Sequence, residues 1–245
     1  MASRKGVCLV VGAGDGLGSA VARAFAAEGL TICITRRARN LDRLEALADE
    51  IRAAGGEAHA FGCDAREEAE VVALFDRIEA EIGPLEVVVF NIGANVRFPI
   101  VETTARVFTK VWEMACFGGF LAGREAARVM APRGRGTLIF TGATASVRGR
   151  DGFAAFAAAK HGLRAVAQSM ARELGPQGIH VAHVVIDGAV DGTFTRENRT
   201  DVEGLLARDE ILKPEDIAAA YVNLHKQPRS AWTHELDLRP WRETW

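Results

Sequence analysis

Short apolar runs alternating with longer helix-like stretches constrain this chain more than any other feature. Residues 6–11, 31–35, 57–61, 85–90, 137–141 and 179–186 read as strands, and the segments between most of them carry helical periodicity. Runs such as Val87-Val88-Val89-Phe90 are apolar at successive positions. A strand with one wet face alternates apolar and polar residues, so a continuous apolar run means burial on both faces, and therefore a parallel sheet covered by helices on each side. The expected architecture is a Rossmann-type, doubly wound α/β sandwich of three layers. Residues 232–238 alternate with period two instead, which predicts a half-exposed strand nearer the sheet edge. A chain of this length, 245 residues and 49% hydrophobic, can bury roughly 70–75% of its unfolded surface in one core. No Pro- or Ser-rich linker divides it, so residues 1–245 are expected to form one domain. The least regular stretch, 190–213, contains Gly192, Thr193, Thr195, Asn198, Arg199 and Gly204 and is a candidate lid over a ligand.

Composition narrows the function classes. A formal net charge of −2 offers no basic stripe to displace counterions from a nucleic acid. The four cysteines, Cys8, Cys33, Cys63 and Cys116, lack the close pairs of a metal site and read as buried free thiols of a reducing compartment. No apolar run reaches the length of a membrane span, and residues 1–5 are too short for the basic start of a signal peptide. A cytoplasmic protein is expected.

The first strand leads into Gly12-Ala13-Gly14-Asp15-Gly16-Leu17-Gly18 and then a helical pattern over 19–28. Glycines here let the backbone turn tightly and bring its N–H groups, with the helix dipole, against a diphosphate. The G-x-G-x-x-G fingerprint fails, because Leu17 or Ser19 would have to be glycine; G-x-x-x-G-x-G fits at Gly12, Gly16 and Gly18. The second strand ends in Thr35-Arg36-Arg37, with no acid to bind the 2′-hydroxyl of an NAD ribose. Two guanidiniums there suit a 2′-phosphate and favour NADP over NAD, although Asp15 opposes such a phosphate and a solvated arginine pair is the plain alternative. Asp64, beyond the third strand, is placed either to reach the adenine edge or to cap the helix that starts near Arg66.

This glycine spacing, Asn91-Ile92-Gly93-Ala94 after the fourth strand, and Lys160 on a long helix after the fifth together resemble the short-chain dehydrogenase/reductase family over essentially the whole chain. The resemblance implies that Gly12, Gly16 and Gly18 bind the cofactor diphosphate, with Gly14, Asp15, Leu17 and Gly93 beside them. It further implies that Asn91 stabilises the central sheet near the adenosine ribose and that Lys160 holds the nicotinamide ribose. Hydride transfer between NAD(P) and an alcohol, carbonyl or activated double bond of a small-molecule substrate is the implied activity. Family members commonly assemble as homodimers or homotetramers through the long helix and its neighbour.

The departures fall on catalysis. Family members place Ser, Tyr and Lys, often with Asn, around the reacting carbonyl. Here the tyrosine position is Phe156, in Phe156-Ala157-Ala158-Ala159-Lys160, and the chain's one tyrosine is Tyr221. Cys116 stands near the asparagine position and Ala143 near the serine. Substitutes should come from loops beyond the strand ends or from the helix face bearing Lys160. Thr144 and Ser146 offer hydroxyls that polarise a carbonyl or bond locally. Asp187 follows a buried strand and either donates a proton or accepts from turn N–H groups. Arg148 and Arg150 attract an anionic substrate or are solvated, Asp151 is first of all a helix N-cap, and His161 points away from Lys160. Lys160 acting through a bound water is the least strained acid, since it needs no new residue. Trp232, Trp241 and Trp245 crowd the last 14 residues and are expected to cover something apolar, a neighbouring subunit being one choice. A catalytically silent NAD(P)-binding protein and a non-redox enzyme on the same scaffold are the competing classes.

Overall fold

The computed structural model describes residues 6–243; residues 1–5, Thr244 and Trp245 lie outside them. Seven parallel strands form one sheet in the order β3-β2-β1-β4-β5-β6-β7. They are β1 (Val7–Val11), β2 (Thr31–Arg36), β3 (Ala58–Gly62), β4 (Leu85–Phe90), β5 (Gly136–Thr141), β6 (Ile179–Ile186) and β7 (Glu235–Leu238). The strands β1, β4 and β6 are buried at nearly every position, as their continuous apolar runs require. Strand β7 alternates exposed and half-buried positions at the edge beside β6.

Side chains of successive strand residues go to opposite faces, and this sorts the core into two layers. Val7, Leu9, Val88, Phe90, Leu138 and Phe140 pack against α3 (Glu68–Arg77), α5 (Gly118–Met130) and α6 (Ala154–Leu174). Cys8, Val10, Val87, Val89, Ile139 and Val184 pack against α1 (Leu17–Ala27), α2 (Leu41–Ala53) and α9 (Pro214–His225). Each large apolar side chain fully buried this way stabilises the fold by about 1.5–3 kcal/mol. The chain leaves β3 at one edge and returns beside β1 as β4, so the strand order reverses between β1 and β4. In open α/β sheets that reversal opens a crevice beyond the carboxyl ends of the strands.

Several local features go beyond the sequence or differ from its expectation. Asp151 does not cap α6: the helix begins one residue beyond Phe153, after Gly152 at φ +77°, and Asp151 reaches sideways to pair with Arg97 at 2.9 Å. The helix between β4 and β5 is broken into α4 (Ala105–Trp112) and α5 by a π-helical turn, Glu113–Phe117. The stretch 190–213 contains two short helices, α7 (Thr193–Asn198) and α8 (Val202–Ala207). The tryptophans divide: Trp232 stacks on His180 at 4.9 Å, whereas Trp241 is 70% exposed and donates from Nε1 to the Arg208 carbonyl, covering none of the core.

Candidate active site

The phosphate loop is built from β1 and the start of α1. Gly12 takes φ +93°, and a Cβ there would lie 2.9 Å from Ile92 Cγ1. Gly18 sits in the first turn of α1, where a Cβ would be 2.6 Å from the Gly12 carbonyl oxygen and 3.0 Å from Asn91 Nδ2. Both glycines are therefore demanded by packing, which brings the start of α1 hard against the end of β1. Gly14 and Gly16 are different: a Cβ at Gly14 would meet nothing nearer than Arg36 Cζ at 4.0 Å, and one at Gly16 nothing nearer than Gly192 Cα at 3.8 Å. They present bare backbone to the crevice, together with Gly93, whose Cβ direction is open. Asn91 ties the two sides of the switch point together, its N–H donating to Val11 O at 2.8 Å and its Nδ2 to Gly12 O at 3.1 Å.

Two connected hollows follow this loop across the strand ends. The smaller, about 200 Å³, is lined by Gly12, Gly14, Arg36, Arg37, Cys63, Asp64 and Asn91 among others. The larger, about 770 Å³, runs from Asp15–Leu17 and Arg36 past Gly93 and Thr144 to Phe156, Lys160 and the 188–199 segment. At the first of these, Arg36 pairs with Asp15 at 3.6 Å, and Arg43 pairs with the same carboxylate at 3.1 Å. The opposing charge of Asp15 is thus outnumbered by guanidiniums, and Arg36 Nη1, though buried, has no hydrogen-bond partner. Bare glycine backbone at a helix start, beside an unsatisfied buried guanidinium nitrogen, fits a nucleotide phosphate well. Asp64 is otherwise engaged: its carboxylate accepts from Arg66 Nε at 2.9 Å and from the Arg66 N–H at 3.2 Å, and the hydrogen-bonding Arg66 side chain holds it below the usual carboxylate range. Helix α3 starts at Glu68, so Asp64 is not its cap.

Lys160 comes up from α6 to the ends of β4 and β5. Its Nζ donates to Ile92 O at 3.0 Å and Thr141 O at 2.8 Å and lies 5.9 Å from the Phe156 ring, one helical turn earlier on the same face. The residue is 2% exposed, and burial lowers its pKa to about 7, opposed weakly by the Cys116 thiol. Tyr221 lies elsewhere: fully buried on α9 behind the sheet, its hydroxyl is 2.9 Å from Thr141 Oγ1, and burial pushes its pKa up. Cys116, in the π-turn, lines neither hollow; its Sγ occupies the space where a Cβ on Gly162 would stand, 2.8 Å away.

The remaining candidates separate. Thr144 lines the larger hollow and donates to Asp187 Oδ1 at 2.7 Å. Ser146 does not reach the hollow; it is fully buried, and its Oγ accepts from the Ala143 N–H at 3.1 Å, a local bond that holds the turn. Asp187 is 1% exposed and acts as an acceptor, bonded by Thr144 and by Arg148 at 3.1 Å and facing Arg239 at 3.5 Å. It ties the β5–α6 loop to the end of β6 and the C-terminal segment. Arg148 is thereby engaged and unavailable as a simple anion trap. His161 is exposed and bonds back to Ala157 O at 2.9 Å. The contributions of Asn95, Phe194, Arg199 and Glu243 to the larger hollow come from loops that the chain folds over it, and no periodicity in the sequence marks them. Among the described residues no group of three or more His, Cys, Asp or Glu is arranged to hold a metal, and no helix is long and apolar enough to cross a membrane.

Sheet order, switch-point crevice and phosphate loop define a dinucleotide-binding α/β protein. A family model described as short chain dehydrogenase matches residues 6–203. Over 224 residues, 89% of each chain, the protein is 32% identical to a short-chain dehydrogenase/reductase of Hericium erinaceus. The crystal structure of a short-chain dehydrogenase from Rhodopseudomonas palustris superposes with a TM-score of 0.83 at 51% identity, covering 97% of this chain and 100% of that one. That of an actinorhodin polyketide ketoreductase with NADPH gives 0.87 at 26% identity, covering 96% of each. The chain belongs to the short-chain dehydrogenase family and is an NAD(P)-dependent oxidoreductase of that type.

Proposed function

We propose that this protein is an NADP-preferring oxidoreductase whose proton donor is not a tyrosine. The observation that carries the reading is Lys160, buried in the larger hollow against Phe156 and held by two backbone carbonyls, with a pKa near neutrality. A nicotinamide nucleotide bound in the crevice supplies the hydride. What the chain must add is the proton, and an amine with a pKa of about 7 is suited to holding and releasing one at working pH, directly or through water. Phe156, in the tyrosine's place, offers an apolar face that excludes water from the reacting group. Thr144, in the same hollow, gives its one hydroxyl proton to Asp187, which leaves its Oγ1 to accept from a substrate hydroxyl.

The NADP preference rests on Arg36 and Arg37, with Arg36 Nη1, which makes no hydrogen bond and faces only the Asp15 carboxylate at 3.6 Å, as the group that receives a 2′-phosphate. NADP- and NADPH-bound relatives of 25–26% identity are consistent with it. The 190–213 segment, whose Gly192 meets Gly16 across the diphosphate end, serves as a lid. Homo-oligomerisation is supported by Phe108, Trp112 and Phe120, part-exposed on α4 and α5, with Trp112, Phe117 and Phe120 stacked in series.

The test is NADPH oxidation against panels of carbonyl and conjugated enoyl compounds. The wild type is expected to transfer hydride stereospecifically; Lys160→Ala is expected to lose at least 100-fold in kcat, and Phe156→Tyr to gain carbonyl reduction. Saturable NADPH binding with no turnover on either panel would instead favour a silent nucleotide-binding protein.

A further inference from the structure

Charge pairing in the larger hollow is uneven. Every carboxylate that lines it has a guanidinium partner: Asp15 has Arg36 and Arg43, Asp191 has a bidentate Arg196 at 2.7 and 2.8 Å, and Glu243 faces Arg148 at 4.0 Å. Two lining guanidiniums, those of Arg150 and Arg199, have no hydrogen-bond or ion-pair partner among the described residues. They come from different segments of the chain, Arg150 on the loop between β5 and α6 and Arg199 at the end of α7. The rings of Phe153, Phe156 and Phe194 line the same hollow.

Arg150 and Arg199 belong to segments that follow β5 and β6. Arg36 closes β2, whereas Arg150 follows β5, three strands away in the sheet, which is roughly 14 Å at about 4.8 Å per strand. Excess positive charge at the mouth of a low-dielectric cleft focuses its field on an entering anion, and a guanidinium fork matches the oxygens of a carboxylate or phosphate. The phenyl rings provide the complementary surface for an apolar body.

We propose that the Arg150–Arg199 pair, with Phe153, Phe156 and Phe194, recognises a substrate made of an oxyanion group on an apolar body. The inference rests on the reading of this hollow as the substrate crevice of the oxidoreductase. It adds that the substrate is held by its anionic end at the rim while its apolar part reaches toward Lys160.

Calorimetric binding of 4-phenylbutanoate, phenyl phosphate and neutral 4-phenylbutanamide tests this without hydride transfer, in cofactor-free and in NADPH-loaded protein. At least one anion is expected to bind tenfold or more tightly than the amide, with the difference shrinking as salt rises. Whichever of the carboxylate and the phosphate binds better identifies the group. In Arg150→Gln/Arg199→Gln the anion should fall to the amide's affinity, with the amide's affinity unchanged. Both substitutions are at exposed positions, and an unchanged melting temperature verifies the fold. Equal binding of anion and amide, no binding of either, or a double variant that loses NADPH affinity instead would overturn the proposal. Failure of NADPH to bind or turn over, with anion selectivity intact, would count against the proposed oxidoreductase activity alone.

Discussion

Replacing Lys160 by Met separates the charge of this side chain from its shape. The amine is wholly buried, and its pKa is about 7 in the folded protein, against about 10.4 for an unfolded lysine. The sign follows from proton counting. Below pH 7 both states carry the proton, and the folded state bears the full burial penalty. Between pH 7 and about 10.4 the unfolded chain binds more protons, so the penalty is relieved and stability rises with pH. For these two pKa values the penalty is about 4 kcal/mol at pH 7 and about 2 kcal/mol at pH 9. Methionine avoids it at every pH but leaves the Ile92 and Thr141 carbonyls without their donor, at about 1–3 kcal/mol each. The two effects offset near neutrality, so the slope is the informative quantity. Urea denaturation of cofactor-free protein at pH 7, 8 and 9 should find the wild type gaining about 2 kcal/mol on Lys160→Met, with groups common to both proteins cancelling. A stability difference that is flat with pH, or of opposite slope, would mean that the amine stays charged in the fold up to pH 9. The assignment of Lys160 as an acid poised near neutrality would then be refuted.

Gly18→Ala should lower both melting temperature and NADPH affinity, because its Cβ meets the Gly12 carbonyl at 2.6 Å; a cost of about 1–3 kcal/mol is expected by thermal denaturation. Asp15→Asn removes the carboxylate that holds Arg36 and Arg43, and calorimetry should find NADPH bound several-fold more tightly with NADH little changed; Arg36→Gln should erase the preference. Asp187→Ala strips the buried partner from Thr144 and Arg148 and should destabilise the fold by about 3 kcal/mol in urea, with Asp187→Asn milder.

The strands were legible because burial on both faces leaves an unbroken apolar run, and β4 and β6 fall at the positions that the sequence indicates. The phosphate loop was legible for a related reason: only glycine tolerates the approach of Gly18 to Gly12. What escaped depends on partners distant in sequence. Asp187 looks like a proton donor in isolation, but Arg148, 39 residues earlier, and Arg239 make it an ion-pair acceptor. Asp151 has the residue type and position of an N-cap, yet Gly152 turns the chain at positive φ and Arg97 takes its carboxylate. The π-turn at Glu113–Phe117 has no periodicity signal of its own, and it sets Cys116 against Gly162 rather than in the crevice.

The central claim, an NADP-preferring crevice in a working oxidoreductase, is tested most directly by separate calorimetric titrations with NADPH and NADH at physiological salt. The account expects saturable NADPH binding with at least tenfold discrimination against NADH, about 1.4 kcal/mol. Equal affinities would contradict the role of Arg36 and Arg37, and binding of neither nucleotide would contradict the assignment of the glycine loop itself.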